Sequence, residues 1–196
     1  MPRRGKARRE TKETKVAVEV DLDGEGKAEI KTPIPFLDHM LEALANHSLI
    51  DISLKAEGDV EVGLHHTVED VGFVLGLALK EAWGDRRGVR RFGHAVVPMD
   101  DALALVAVDL SGRAHFEVDL GLKRRRADGF PCELAEEFLR ALSRGAEINL
   151  HAVLLRKGEP HHSLEAIFKA LALALRWAVE VDPRREGVPS TKGALD

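Results

Sequence analysis

Hydrophobic and polar positions along this chain follow two periods, and the periods alternate in a repeating order. Lys15-Val16-Ala17-Val18-Glu19-Val20 has period two, so residues 14–21 are predicted to form a strand. Asp23-Gly24-Glu25-Gly26 has the composition of a turn, and residues 27–31 are predicted to return as the hairpin partner. Pro33 and Pro35 end that strand. A helix follows over residues 36–47, with Leu37, Met40, Leu41 and Leu44 on its inner face. Alternation resumes over 50–57 and, after Gly58, at Val60 and Val62. A second helical run through Val71, Phe73, Val74, Leu77 and Ala78 closes near Gly84-Asp85.

The second half repeats this order. Residues 90–98 and 102–109 read as strands around a Pro98-Met99-Asp100-Asp101 turn, and 114–119 as another strand. A helix over 133–142 resembles the earlier one, 147–155 alternates as a strand, and a helix carrying Ile167, Phe168, Leu171 and Leu175 runs to about 181. Residues 183–196 have no periodicity. The pattern predicts an α+β fold made by internal duplication of a βαβ-type half, with the sheet on one side and the helices on the other. The halves are expected to pack face to face or to fuse their sheets. The chain is read as one domain, 1–196, with pseudo-repeats at about 11–87 and 88–182 and a tail from 183.

The chemistry stands at the same place in each repeat. His65-His66-Thr67-Val68-Glu69 opens one apolar helix and His161-His162-Ser163-Leu164-Glu165 the other. Successive helical residues turn about 100°, so positions i and i+4 share a face while i+1 looks aside. His65 with Glu69, and His161 with Glu165, can each grip one ion, and His66 and His162 must point elsewhere. One His-His-x-x-Glu also occurs as a cap or a surface feature; two copies in matching settings favour metal. Aligning 37–44 with 135–142 places His39 over Glu137, which brings the candidate ligands to eight, four for each of two sites. His65 and Glu69 are grouped with His162 and Glu137, and His161 and Glu165 with His66 and His39. Histidine and carboxylate without thiolate favour manganese, iron, cobalt or zinc.

Other residues carry less. His151, on a strand, reads as a structural histidine or one behind the ligands, and His94 and His115 as strand-surface residues. His47 is either a cap for the first helix or a pocket residue. Lys123 to Arg126 reads as a solvated face, and Cys132 as inert. Arg91, Arg113, Lys169 and the run Ser190-Thr191-Lys192-Gly193 stand near structural breaks and can together neutralise a phosphate dianion.

The bulk properties narrow the classes. Hydrophobic residues at 44% and charged residues at 32% describe an ordinary globular chain, and a net charge of -4 argues against a nucleic-acid surface. One cysteine excludes an internal disulfide framework and suits a reducing compartment. The most apolar helix, over 166–181, contains Lys169, Arg176 and Glu180, so no membrane span is expected. The basic opening lacks the apolar stretch of a secretory signal, and a cytoplasmic location is expected.

Phe36-Leu37-Asp38-His39-Met40-Leu41, the two histidine-pair motifs, Pro98-Met99-Asp100, Asp109-Leu110-Ser111-Gly112-Arg113, Phe168-Lys169-Ala170 and Pro189-Ser190-Thr191-Lys192-Gly193 together resemble the imidazoleglycerol-phosphate dehydratase family, over nearly the whole chain. The resemblance implies a ribosomal protein S5 domain 2-like duplicated fold and a lyase of histidine biosynthesis. Such a lyase dehydrates imidazole glycerol phosphate to imidazole acetol phosphate with two manganese ions per active site, the substrate ring binding as imidazolate between them. It further implies trimers assembling into a 24-subunit shell with active sites between subunits. Carried over by position, the metal ligands are His39, His65, His66, Glu69, Glu137, His161, His162 and Glu165. The catalytic residues are Glu13, His66 and Glu165. Substrate contacts are Glu13, His39, His47, Arg91, Arg113, Lys169, Ser190, Thr191 and Lys192, the last three in the tail. The chain departs from the family at Gly63-Leu64, where acids usually precede the histidine pair, and at Ala43, in place of a common glutamine. It also departs at Gly158-Glu159-Pro160, which lacks the usual asparagine and is one residue tighter. Glu137 falls where some members have histidine. A dinuclear phosphoesterase would use similar ligands and cations.

Overall fold

A computed structural model describes residues 3–193 and Leu195; the end of the expected tail, Ala194 and Asp196, lies outside the described residues. The chain forms two four-stranded sheets of matching topology. In the first half β1 (Arg4–Glu10), β2 (Thr14–Asp21), β3 (Ala28–Lys31), α1 (Pro35–Ser48), β4 (Asp51–Gly58) and α2 (His65–Trp83) follow one another. The second half runs β5 (Phe92–Met99), β6 (Ala102–Asp109), β7 (His115–Asp119), a short ribbon of β8 (Arg126–Ala127) and β9 (Phe130–Pro131), α3 (Glu133–Ala146), β10 (Asn149–Arg156) and α4 (Pro160–Val179). The sheet orders are β1-β2-β4-β3 and β5-β6-β10-β7, and in each the third strand of the half pairs parallel to the strand after the first helix.

Three expectations are corrected here. Residues 27–31 do not return as a hairpin on β2. The strand β3 pairs parallel with β4, Ile30 opposite Leu54, and the true hairpin partner of β2 is β1, Lys6 opposite Glu19. The first half therefore begins at Arg4 and not near residue 11. β1 is hard to read because its outward positions are Arg4, Lys6, Arg8 and Glu10, while its inward ones are small: Gly5 and Ala7. Glycine is required there. A Cβ at Gly5 would overlap the Ala78 carbonyl oxygen of α2, just as one at Gly93 of β5 would overlap that of Ala174 on α4. Val60 and Val62 lie in a turn, not in a continued strand.

Helices α1 and α2 cover the first sheet and α3 and α4 the second; the halves meet through α2 on α3 and α1 on α4. The order of layers is sheet, helices, helices, sheet. The inward valines of β2 (Val16, Val18, Val20) and the leucines of α1 are buried in this interior, and Phe138 of α3 packs on Phe168 of α4 with ring centroids 5.3 Å apart. The outer faces differ. The first carries cross-strand ion pairs such as Lys6–Glu19 at 2.8 Å. The second shows Phe92 60%, Val96 51% and Leu155 53% exposed. Among the described residues no helix is long and apolar enough to cross a membrane.

The contact of α2 on α3 has glycine on both sides. A Cβ at Gly72 would stand 2.5 Å from the Phe138 carbonyl oxygen, and one at Gly145 would overlap that of Phe73. Alanine gains about 1 kcal/mol of helix propensity over glycine, while overpacking costs about 1–3 kcal/mol. Against a backbone oxygen the clash wins. Gly145→Ala is expected to lower the urea midpoint, and Gly63→Ala, where nothing lies within 4 Å, to leave it unchanged.

Candidate metal and substrate site

The histidine-pair helices begin at one end of the molecule. Leu64, just before α2, and His161, in the first turn of α4, line a common cleft of about 520 Å³ with Phe36, His39, Asp128 and Phe130. Glu159 is the N-cap of α4; its carboxylate accepts from the backbone N–H of His161 at 2.7 Å and of His162 at 3.3 Å. Pro160 supplies a fixed φ at the first helical position. The tighter Gly158-Glu159-Pro160 loop is thus a complete helix start, held further by Asp101, which accepts from the Glu159 N–H at 2.9 Å.

Three of the expected ligands converge. The Glu165 carboxylate lies 3.3 Å from His161 Nε2 and 3.9 Å from His39 Nε2, and donor atoms of all three residues fall within 4.8 Å of one another. Ligands about 2.0–2.2 Å from one ion stand roughly 3–4.5 Å apart, so this group fits a divalent cation. The other Glu165 oxygen accepts from Lys169 Nζ at 2.8 Å. Glu165 is 8% exposed. Burial pushes its carboxyl up, but Lys169, then His39 and His161, outweigh burial, and the group lies below the ordinary carboxylate range. His47 lines the neighbouring space with His39, Glu165 and Lys169; burial, then the Lys169 charge, holds its imidazole below the ordinary value.

The first motif forms a separate group. His65 Nε2 lies 3.7 Å from Glu69 in the expected i,i+4 relation, and Glu69 also accepts from Arg144 at 2.9 Å. His66 faces the β1–β2 turn, its Nδ1 3.8 Å from Glu13. His162 turns away from His161 toward the β5–β6 turn, where Asp101 lies 2.9 Å from Nδ1 and Asp100 3.5 Å from Nε2. The hydrogen bond to Asp101 raises the His162 imidazole above its ordinary value. Glu137 of α3 pairs with Arg140 at 3.7 Å. Within one chain, then, His66 does not join His39, His161 and Glu165, and His162 and Glu137 do not join His65 and Glu69.

The phosphate candidates also divide. Lys169 lies beside Glu165, whereas the Arg91 N–H donates to Ala178, nine residues and about 13 Å further along α4. Arg91 grips Asp109 through two nitrogens, at 2.6 and 3.0 Å, which raises its pKa, and donates to the Pro189 carbonyl at 2.9 Å. The 190–193 turn is thereby fixed near Arg91: the Lys192 N–H donates to the Ser190 hydroxyl at 3.2 Å and Thr191 is exposed. Arg113 follows β6 at this same end, with Asn149 donating to its carbonyl at 2.9 Å. Sequence reasoning missed Asp128, Asp101 and Glu159 as partners of the second motif. Asp128-Gly129 is a turn dipeptide, a signal for the ribbon though not for its contact with His161.

A duplicated α+β chain in which a His-His-x-x-Glu motif opens each of α2 and α4 defines the class of fold. The model of one family, imidazoleglycerol-phosphate dehydratase, matches residues 32–175. An imidazoleglycerol-phosphate dehydratase of Granulibacter bethesdensis is 51% identical over 196 residues, covering 100% of both chains. Among solved structures, IGPD from Pyrococcus furiosus is 40% identical with a TM-score of 0.80, over 96% of this chain and 99% of that one. The Staphylococcus aureus imidazoleglycerol-phosphate dehydratase structure is 35% identical with a TM-score of 0.79, over 91% and 99%. The chain belongs to the imidazoleglycerol-phosphate dehydratase family and is an enzyme of the hydro-lyase class.

The buried ion cluster has a sign that pH tests. In metal-free protein the depressed Glu165 contributes stability that is present above its ordinary value of 4.5 and is lost as pH falls through the lower folded value. Removing the ammonium leaves burial opposed by the imidazoles alone. Lys169→Met is expected to lower the urea midpoint near neutral pH, and the difference is expected to shrink as pH falls through the folded Glu165 value, below which the carboxyl is protonated in both states.

Proposed function

We propose that this chain removes water from D-erythro-imidazole glycerol phosphate, giving imidazole acetol phosphate, as a step of L-histidine biosynthesis in the cytoplasm. The convergence of His39, His161 and Glu165 on one point carries the reading. Two manganese ions per active site are held by these three with His65, His66, Glu69, Glu137 and His162, the last five contributed in part by neighbouring copies. Bound divalent ions supply Lewis acidity toward the substrate ring and the departing hydroxyl. The remaining chemistry belongs to side chains. Glu13 moves the proton at the carbon centre, with His66 beside it at 3.8 Å to hold its carboxylate. Lys169 keeps Glu165 ionised, and His47 lines the space beside Glu165 and Lys169. Arg91, Arg113, Ser190, Thr191 and Lys192 hold the phosphate dianion by charge-assisted hydrogen bonds, Asp109 aiming the Arg91 guanidinium.

The division of the site within one chain supports assembly. The metal cluster and the phosphate group stand at opposite ends of α4, so one substrate meets both only where copies adjoin. The outer face of the second sheet, which exposes Phe92, Val96, Val153 and Leu155, gives a surface for such contact: His94, Ala107, His151 and Glu117 form one cross-strand row, and Val96, Leu105, Val153 and Asp119 the next. The proposed assembly is trimers closing into a 24-subunit shell, with no nucleic-acid or membrane partner.

Metal analysis of the purified protein, with sedimentation before and after chelation, is expected to give about two ions per chain and a large particle that shrinks when they are removed. Imidazole glycerol phosphate left unchanged, with phosphate released from a generic phosphoester, would replace this reading by a hydrolase. Glu13→Gln is expected to retain the metal and lose about 10²–10⁴-fold in kcat; an unimpaired variant removes Glu13 from proton transfer.

A further inference from the structure

His161 is held from two sides, and only one of them is the metal cluster. Its Nε2 faces Glu165, while its Nδ1 lies 2.5 Å from a carboxylate oxygen of Asp128. We propose that Asp128 is a positioning residue for His161, accepting the Nδ1–H and so presenting Nε2 as the bare donor to a divalent cation; this rests on the metal reading above. An ionised carboxylate only accepts hydrogen bonds. The Nδ1 it faces must therefore carry the proton, which fixes the tautomer that leaves the Nε2 lone pair free.

The bracket that carries Asp128 is built for a fixed placement. Asp128 has φ 47 and Gly129 φ 85, the paired left-handed values of a two-residue hairpin turn, closing Ala127 opposite Phe130. Phe130 stacks on Phe36 with centroids 5.1 Å apart, and Phe36 meets the His161 ring edge-on at 5.4 Å. The aromatic pair sets the plane of the imidazole, and the carboxylate sets which nitrogen looks inward.

The magnitudes separate this role from an ordinary ion pair. The Asp128 side chain is 68% exposed, and exposed pairs contribute little to folding. Partners behind a metal-ligating histidine, by contrast, change metal affinity about 10–100-fold. Removing Asp128 should thus leave stability in place and weaken the metal.

The test compares Asp128→Ala and Asp128→Asn, each alone and combined with His161→Ala. Mn²⁺ affinity is measured by chelator competition on the assembled protein, and Tm on the metal-free form. The expected result is about 10–100-fold weaker Mn²⁺ binding for Asp128→Ala and a smaller loss for Asp128→Asn, whose amide oxygen still accepts. Metal-free Tm should be unchanged, and no further loss should follow once His161 is gone. Wild-type affinity in Asp128→Ala, or an equal loss with and without His161, overturns the positioning role alone. Wild-type affinity in His161→Ala overturns the metal assignment and this role with it.

Discussion

A largely buried, ionised carboxylate at the junction of two helices is the constraint around which this molecule is arranged. Glu165 sits where α1 and α4 meet, its charge compensated by an ammonium at 2.8 Å and imidazoles at 3.3 and 3.9 Å. Burying such a charge without partners costs more than a surface ion pair returns. The compensating groups therefore have to arrive together: His161 from the preceding helical turn, Lys169 from the following one and His39 across the helix contact. Any packing of α1 on α4 that separated His39 from Glu165 would leave the carboxylate with fewer partners. The position of the site and the packing of the halves are thus one condition.

Duplication supplied that arrangement twice and the copies then diverged. Both halves keep the same strand order, the same glycine under the helix and the same histidine-pair helix start. Around the first pair the neighbours are Glu13, Arg144 and Arg9; around the second they are Asp128, Asp101 and Lys169. The outer sheet faces diverged as well, one toward salt-bridged charge and the other toward exposed aliphatic and aromatic side chains.

Much of this was legible in the chain. Period-two and helical runs gave every helix and most strands within a few residues, because the inner faces are mainly apolar. The i,i+4 rule placed His65 with Glu69 and His161 with Glu165, and it turned His66 and His162 aside, as helical geometry demands. The misread elements were those whose burial is done by absence of side chain or by a distant partner. β1 hides behind arginines and a glycine. β3 pairs with β4, which comes 20 residues later in the chain and is brought alongside only by α1.

The sequence by itself determined the duplication, the helix starts, the identity of the metal-competent side chains and the family resemblance, since each of these is local or periodic. Tertiary structure decided which of those side chains meet. It put His39 beside Glu165, sent His162 to Asp101, tied Arg91 to Asp109 and the tail, and brought Asp128 to the far nitrogen of His161. The reason is physical: spacing along a helix fixes direction about its own axis, but contacts between elements depend on how closely their backbones can approach, and that is set by packing across the whole interior.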